Sequence, residues 1–140
     1  MAKNPVVHFE MGYNDKERMI AFYEKAFGWV PQRMGPEMGN YVVAQTTETD
    51  ENGMVKEPGQ INGGFYAKTE DPGSHPPSVV IAVEDIQAAM KRVTENGGKI
   101  AGSGTDKSME PAEIPGVGLW ISVYDTEGNR VSILQPNERA

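Results

Sequence analysis

Alternation of apolar and polar residues is the first pattern in the chain. In Val6-Val7-His8-Phe9-Glu10-Met11, the residues Val7, Phe9 and Met11 form one set and Val6, His8 and Glu10 the other. Side chains of period two mark a strand. A second opening strand, Ser78-Val79-Val80-Ile81-Ala82-Val83, begins 70 positions after His8. Each strand leads into a segment of helical period. Met19, Ile20, Tyr23, Ala26 and Phe27 share one helical face, and Ile86, Ala89, Met90 and Val93 share another. Asn14 or Asp15 caps the first helix, with Glu17 placed for a capping box from Asn14, and Asp85 caps the second. Gly28 closes the first helix, and Gly97 and Gly98 close the second, as left-handed C-terminal caps.

The strands that follow repeat the same order. Short strands are expected near Val30–Met34 and Lys99–Ala101, directly after each helix. Tyr41–Thr47 and Ile61–Ala67 complete the first half, and Leu119–Tyr124 and Arg130–Gln135 complete the second. Asp125-Thr-Glu-Gly-Asn129 reads as a tight turn between the last two. The reading is an α+β fold of two βαβββ modules within a single domain, residues 1–140. Module one covers about residues 4–67, a turn-rich linker 68–77, and module two about 78–136. Two stretches exceed what connections need. Glu48–Gln60 reads as an exposed hairpin loop. Gly102–Gly118 reads either as a mobile flap or as a plain surface loop, and Asn62-Gly63-Gly64 as a backbone bend.

Parity sorts the strands into two faces. Val7, Phe9, Met11, Val79, Ile81, Val83, Leu119, Ile121, Val123, Val131 and Ile133 belong under the helices. The far face collects His8, Glu10, Tyr41, Gln45, Asn62 and Tyr66 from module one. From module two it collects Ser78, Trp120, Ser122, Tyr124 and Ser132. Rings, hydroxyls, amides, one imidazole and one carboxylate together suit a ligand pocket, whose walls are apolar and whose few polar groups orient the ligand. A solvated sheet face packed in part on a partner subunit is the competing reading.

Composition narrows the chemistry. The chain has no cysteine, which removes disulfides, thiolate nucleophiles and thiolate metal sites. It has two histidines, His8 and the linker residue His75. A net charge of −7 argues against a nucleic-acid partner. No apolar run approaches membrane-spanning length and the first residues carry no apolar signal region, so no membrane partner and a cytoplasmic location are expected. No serine lies in a nucleophile elbow and no glycine-rich phosphate loop follows a strand; Gly102-Ser-Gly104 is too short to count.

The repeat, with His8 on the first strand and Asn14-Asp15 at the helix start, now supports a family reading. So do Phe22-Tyr23-Glu24-Lys25-Ala26-Phe27-Gly28-Trp29, Glu95-Asn96-Gly97-Gly98, Asp125-Thr126-Glu127-Gly128-Asn129-Arg130 and Gln135-Pro136. The chain resembles the vicinal oxygen chelate superfamily, the glyoxalase, bleomycin-resistance and extradiol-dioxygenase group. Phe9-Glu10 is similar to a pairing found in its small glyoxalase-related proteins. The resemblance implies sheets curved into a concave cup with helices outside, a small-molecule ligand within, and a homodimer. Metal-using members take one ligand from each of four strand positions. Carried over, these are His8, then Asn62 or Gly64, then Ser78, then Ser132. Three of the four lack a strong ligand, so neither a metal nor another cofactor is expected.

The functional expectation is a small-molecule-binding protein with His8 or Glu10 as the catalytic group, moving a proton in lyase or isomerase chemistry. A carboxylate two residues away is expected to raise the His8 pKa. A lone histidine on a half-buried strand is also commonly a hydrogen-bonded structural residue. The alternative is a non-catalytic protein that sequesters a drug or metabolite, to which an acidic surface and an aromatic face are suited. The missing ligands argue against a metal-dependent enzyme of the lactoylglutathione-lyase type.

Overall fold

Both helices begin at an aspartate, 70 positions apart. In the structure, a computed structural model describing residues 2–103 and 108–137, Asp15 caps α1 (Lys16–Phe27) by accepting from the Arg18 amide at 3.0 Å. Asp85 caps α2 (Ile86–Glu95) by accepting from the Ala88 amide at 3.1 Å. Asp15 is therefore the cap rather than Asn14. The capping box does not form, because Glu17 turns to Arg33 instead, at 2.7 Å. Gly28 ends α1 at φ 73°, a conformation costly to a residue with a Cβ.

Nine strands are described: β1 (Val6–Tyr13), β2 (Val30–Arg33), β3 (Val42–Gln45), β4 (Asn62–Ala67), β5 (Ser78–Ala82), β6 (Lys99–Gly102), β7 (Ala112–Ile114), β8 (Gly118–Tyr124) and β9 (Arg130–Pro136). With two helices they make a mixed α+β fold. The chain divides into two compact units. One is His8–Pro77; the other is Ser78–Ala140 with Met1–Val7, as far as these are described. The first unit has the strand order β2-β3-β4-β1, with β1 parallel to β4. The second has the order β6-β8-β9-β5, with β5 parallel to β9 and β7 pairing β8. The two units therefore share one topology.

Each unit buries the face that its helix covers. In the first, Tyr13, Ile20, Val42, Ala44 and Phe65 form the core, with Phe9, Met11, Met19, Tyr23 and Trp29 packed against it. In the second, Val83, Ile86, Ala89, Ile121, Val123 and Ile133 do so, and Ile121 is wholly buried. The expected parity of Phe9, Met11, Ile121, Val123 and Ile133 holds.

Three apolar assignments do not. Val7 is 39% exposed: β1 pairs β4 only from His8 onward, so Val7 lies off the stretch that α1 covers. Phe27 is 62% exposed, because it ends the last turn of α1 and lies against Tyr23 and Trp29 from outside. Ala26 is exposed on the same turn.

The long connections also differ from one another. Glu48–Gln60 is a hairpin loop with a bridge between Thr49 and Val55, and the Asp50 carboxylate accepts from the Asn52 and Met54 amides. The stretch expected as flap or loop at 102–118 contains strand β7, which the flanking Pro111 and Pro115 conceal in the sequence. Residues 104–107 lie outside the described residues, so the run Gly102-Ser-Gly104 is described only in part.

Candidate functional site

The register of the first unit turns its far face into a small grid. Glu10 lies beside Gly64, which lies beside Val43; His8 lies beside Asn62; Gly12 lies beside Tyr66. The centre of the grid is a glycine, and its missing side chain is what builds the site. A Cβ on Gly64 would collide with the Oη and Cζ atoms of Tyr41. The Tyr41 ring lies across the strand in that space.

Tyr41 is delivered there by a tight reversal. Gly39 at φ 66° and Asn40 at φ 55° both take the left-handed conformation, and the Tyr41 amide donates back to the Met38 carbonyl at 3.3 Å. Two consecutive positive φ values make a type I′ turn, which returns the chain into β3 antiparallel to β2. The Tyr13 hydroxyl donates to the Asn40 carbonyl at 2.8 Å and ties the turn to β1.

The Tyr41 hydroxyl donates to Glu10 Oε2 at 3.0 Å and lies 3.3 Å from His8 Nε2. Imidazole, phenol and carboxylate thus form one hydrogen-bonded chain. Glu10 is only 8% exposed, and a buried carboxylate needs such donors. Burial holds the His8 pKa below its ordinary value. This corrects the expectation of a raised value: desolvation disfavours the imidazolium, and the phenol stands between the ring and the carboxylate. The Tyr41 pKa is driven up by burial first, and then by the Glu10 charge, the hydrogen bond to Glu10 and the nearby Tyr66. Around neutral pH the imidazole and the phenol are both uncharged.

The other expected residues of this unit take varied roles. The Tyr66 hydroxyl donates to the Ser74 carbonyl at 2.9 Å. Asn62 Oδ1 accepts from the Thr46 and Thr47 amides at 2.8 and 3.0 Å, holding the chain as it leaves β3. Gln45 is exposed at the end of β3. His75 sits in the linker near the Thr69 carbonyl.

In the second unit the corresponding central row is Val80, Ser132 and Ser122. Ser122 and Ser132 are buried and hydrogen-bonded to each other at 3.3 Å. Trp120 lies beside Leu134, Tyr124 beside Arg130, and Ser78 is half-buried on β5. The chemistry-bearing trio of the first unit has no counterpart in this row.

Sequence reasoning missed the function of Gly64. The Gly63-Gly64 pair lies in extended β4 and makes no bend. Gly63 makes room on the helix side for the Phe9 ring, and Gly64 makes room on the other side for Tyr41. The available signal was two adjacent glycines inside a strand, which mark close approach from both faces.

The donor set does not fit a divalent metal held by side chains. Among the described residues no group of three or more His, Asp or Glu side chains converges. His8 and Glu10 are joined through Tyr41, Asn62 Oδ1 caps backbone amides, Gly64 offers nothing, and Ser132 is paired with Ser122. A catalytic site needs about three strong ligands.

Comparison with known proteins agrees with this architecture. No curated protein matches the chain. A hypothetical protein from Bacillus halodurans C-125 shares the fold, with TM-score 0.64, 15% identity and 99% of each chain covered. So does Streptomyces coelicolor methylmalonyl-CoA epimerase, solved with 2-nitronate-propionyl-CoA, at TM-score 0.64 and 12% identity over 96% of each chain. Methylmalonyl-CoA epimerase from Mycobacterium tuberculosis has TM-score 0.60 and 13% identity, covering 99% of this chain and 93% of the other. Residues 6–133 match one family over nearly the whole length, and the chain belongs to the Glyoxalase/Bleomycin resistance protein/Dioxygenase superfamily.

Proposed function

We propose that this protein binds a small molecule on the far face of its first unit and moves a proton there, in chemistry of the isomerase or lyase type. The observation that carries this reading is the His8–Tyr41–Glu10 chain, with contacts of 3.3 and 3.0 Å. A depressed His8 pKa leaves the imidazole unprotonated and able to accept a proton near neutral pH. Accepting one creates an imidazolium, and the Glu10 carboxylate, reached through the phenol, stabilises it. Glu10 itself is the second candidate base. The two relatives named as epimerases are in line with isomerase chemistry.

The proton moves between the compound and the chain's own side chains. The test is proton exchange in heavy water. A panel of small carbonyl compounds with acidic C–H bonds is incubated with the protein, and deuterium incorporation is followed by NMR. The reading expects exchange with at least one compound. It also expects His8→Gln and Glu10→Gln each to lose it by about a hundredfold or more at unchanged melting temperature. Exchange that survives in both variants would remove the proposal. Thermal stabilisation by a compound with no exchange of its protons would instead favour sequestration.

A further inference from the structure

The geometry assigns Tyr41 as the positioning residue that fixes which nitrogen of His8 carries the proton. A phenol has one proton, and a carboxylate only accepts. Tyr41 gives that proton to Glu10 Oε2, 3.0 Å away. The contact between His8 Nε2 and the same hydroxyl, at 3.3 Å, must then run the other way, from Nε2–H to the Tyr41 oxygen. Since His8 is neutral, its Nδ1 keeps a bare lone pair.

The order of the chain is thus Nε2–H to Oη–H to Oε2. Glu10 orders the phenol, the phenol orders the imidazole, and Nδ1 is the basic atom. Of the two candidate bases, this selects His8 and makes Glu10 its partner through Tyr41. Gly64 belongs to the same device, because a Cβ there would occupy the phenol's place.

The tautomer assignment rests on the geometry of the chain and on the burial that keeps His8 neutral. The role of Nδ1 as base rests also on the proton-transfer reading above.

The experiment is long-range proton–nitrogen NMR on protein carrying 15N-labelled histidine, with no ligand added. With only two histidines, a His75→Gln variant assigns the spectrum. The wild type is expected to show His8 in the Nε2–H form alone, with a slowly exchanging Nε2 proton. Tyr41→Phe removes the acceptor, and Gly64→Ala displaces the ring while keeping the phenol. Both are expected to lose the slow exchange and to populate both tautomers. An Nδ1–H form in the wild type would overturn the assignment, as would an unchanged Nε2 proton in both folded variants. In the exchange assay, Tyr41→Phe is expected to slow turnover about tenfold or more. Absence of exchange with the tautomer intact would remove the proton-transfer reading alone. A wrong tautomer with exchange intact would remove this one alone.

Discussion

Placing alanine at position 63 tests whether the two glycines of β4 serve different faces. The new Cβ would fall on the Phe9 ring, at atoms Cδ1, Cε1 and Cζ. That ring cannot retreat freely, because Trp29 lies 5.4 Å and Phe65 6.4 Å away, centroid to centroid. Overpacking a core of this kind costs about 1–3 kcal/mol. Replacing glycine in an extended strand returns about 0.4–1 kcal/mol through the unfolded chain. The net loss is about 1–2 kcal/mol, or roughly 3–7 °C in melting temperature for a chain of this size. At position 64 the obstruction is the tip of Tyr41, a half-buried side chain that can swing away. Gly64→Ala should instead lose about 1–2 kcal/mol through the hydrogen bond withdrawn from the buried Glu10, offset in part by the backbone gain, a loss that Phe9→Leu does not relieve. Thermal unfolding followed by circular dichroism compares the two. Adding Phe9→Leu to the Gly63→Ala protein should restore part of the loss, as expected of residues in direct contact. A Gly63→Ala protein as stable as the wild type, or an equal rescue of both variants by Phe9→Leu, would refute the assignment of faces.

Three further outcomes follow from the same contacts. His8 has a lowered folded pKa, so below about pH 6.5 the unfolded chain takes up a proton that the native chain resists. Stability then falls with falling pH by up to about 1.4 kcal/mol per unit more than in His8→Gln, as urea titrations at pH 5 to 8 would show. Tyr41 works at the other end: its raised pKa makes stability fall as pH rises beyond about 10, and Tyr41→Phe should flatten that limb of the same titration. Asp85→Ala removes the acceptor of the Ala88 amide at the start of α2 and should cost about 1 kcal/mol by chemical denaturation.

Much of the fold was legible because local signals agreed. The aspartates 70 residues apart, the glycine after α1 and the alternation in β8 and β9 each point to one arrangement. Three-residue β7, set between prolines, carries too little pattern to be read. Phe27 has the right spacing for the core, but spacing does not reveal where a helix outruns the sheet beneath it. The candidate site was legible in its faces and not in its chemistry. Parity placed His8 and Glu10 together, yet the link between them comes from Tyr41, more than thirty residues away in sequence. Only tertiary packing shows that a glycine leaves space for that ring. The same packing reverses the expected His8 shift, because burial outweighs a carboxylate reached only through a phenol.

The decisive measurement is a crystal structure with a bound compound from the exchange panel. A polar or acidic atom of that compound is expected within about 2.6–3.2 Å of the His8 ring or the Glu10 carboxylate, on the face away from α1. A compound whose exchange the protein catalyses, seated elsewhere with His8 and Glu10 untouched, would contradict it.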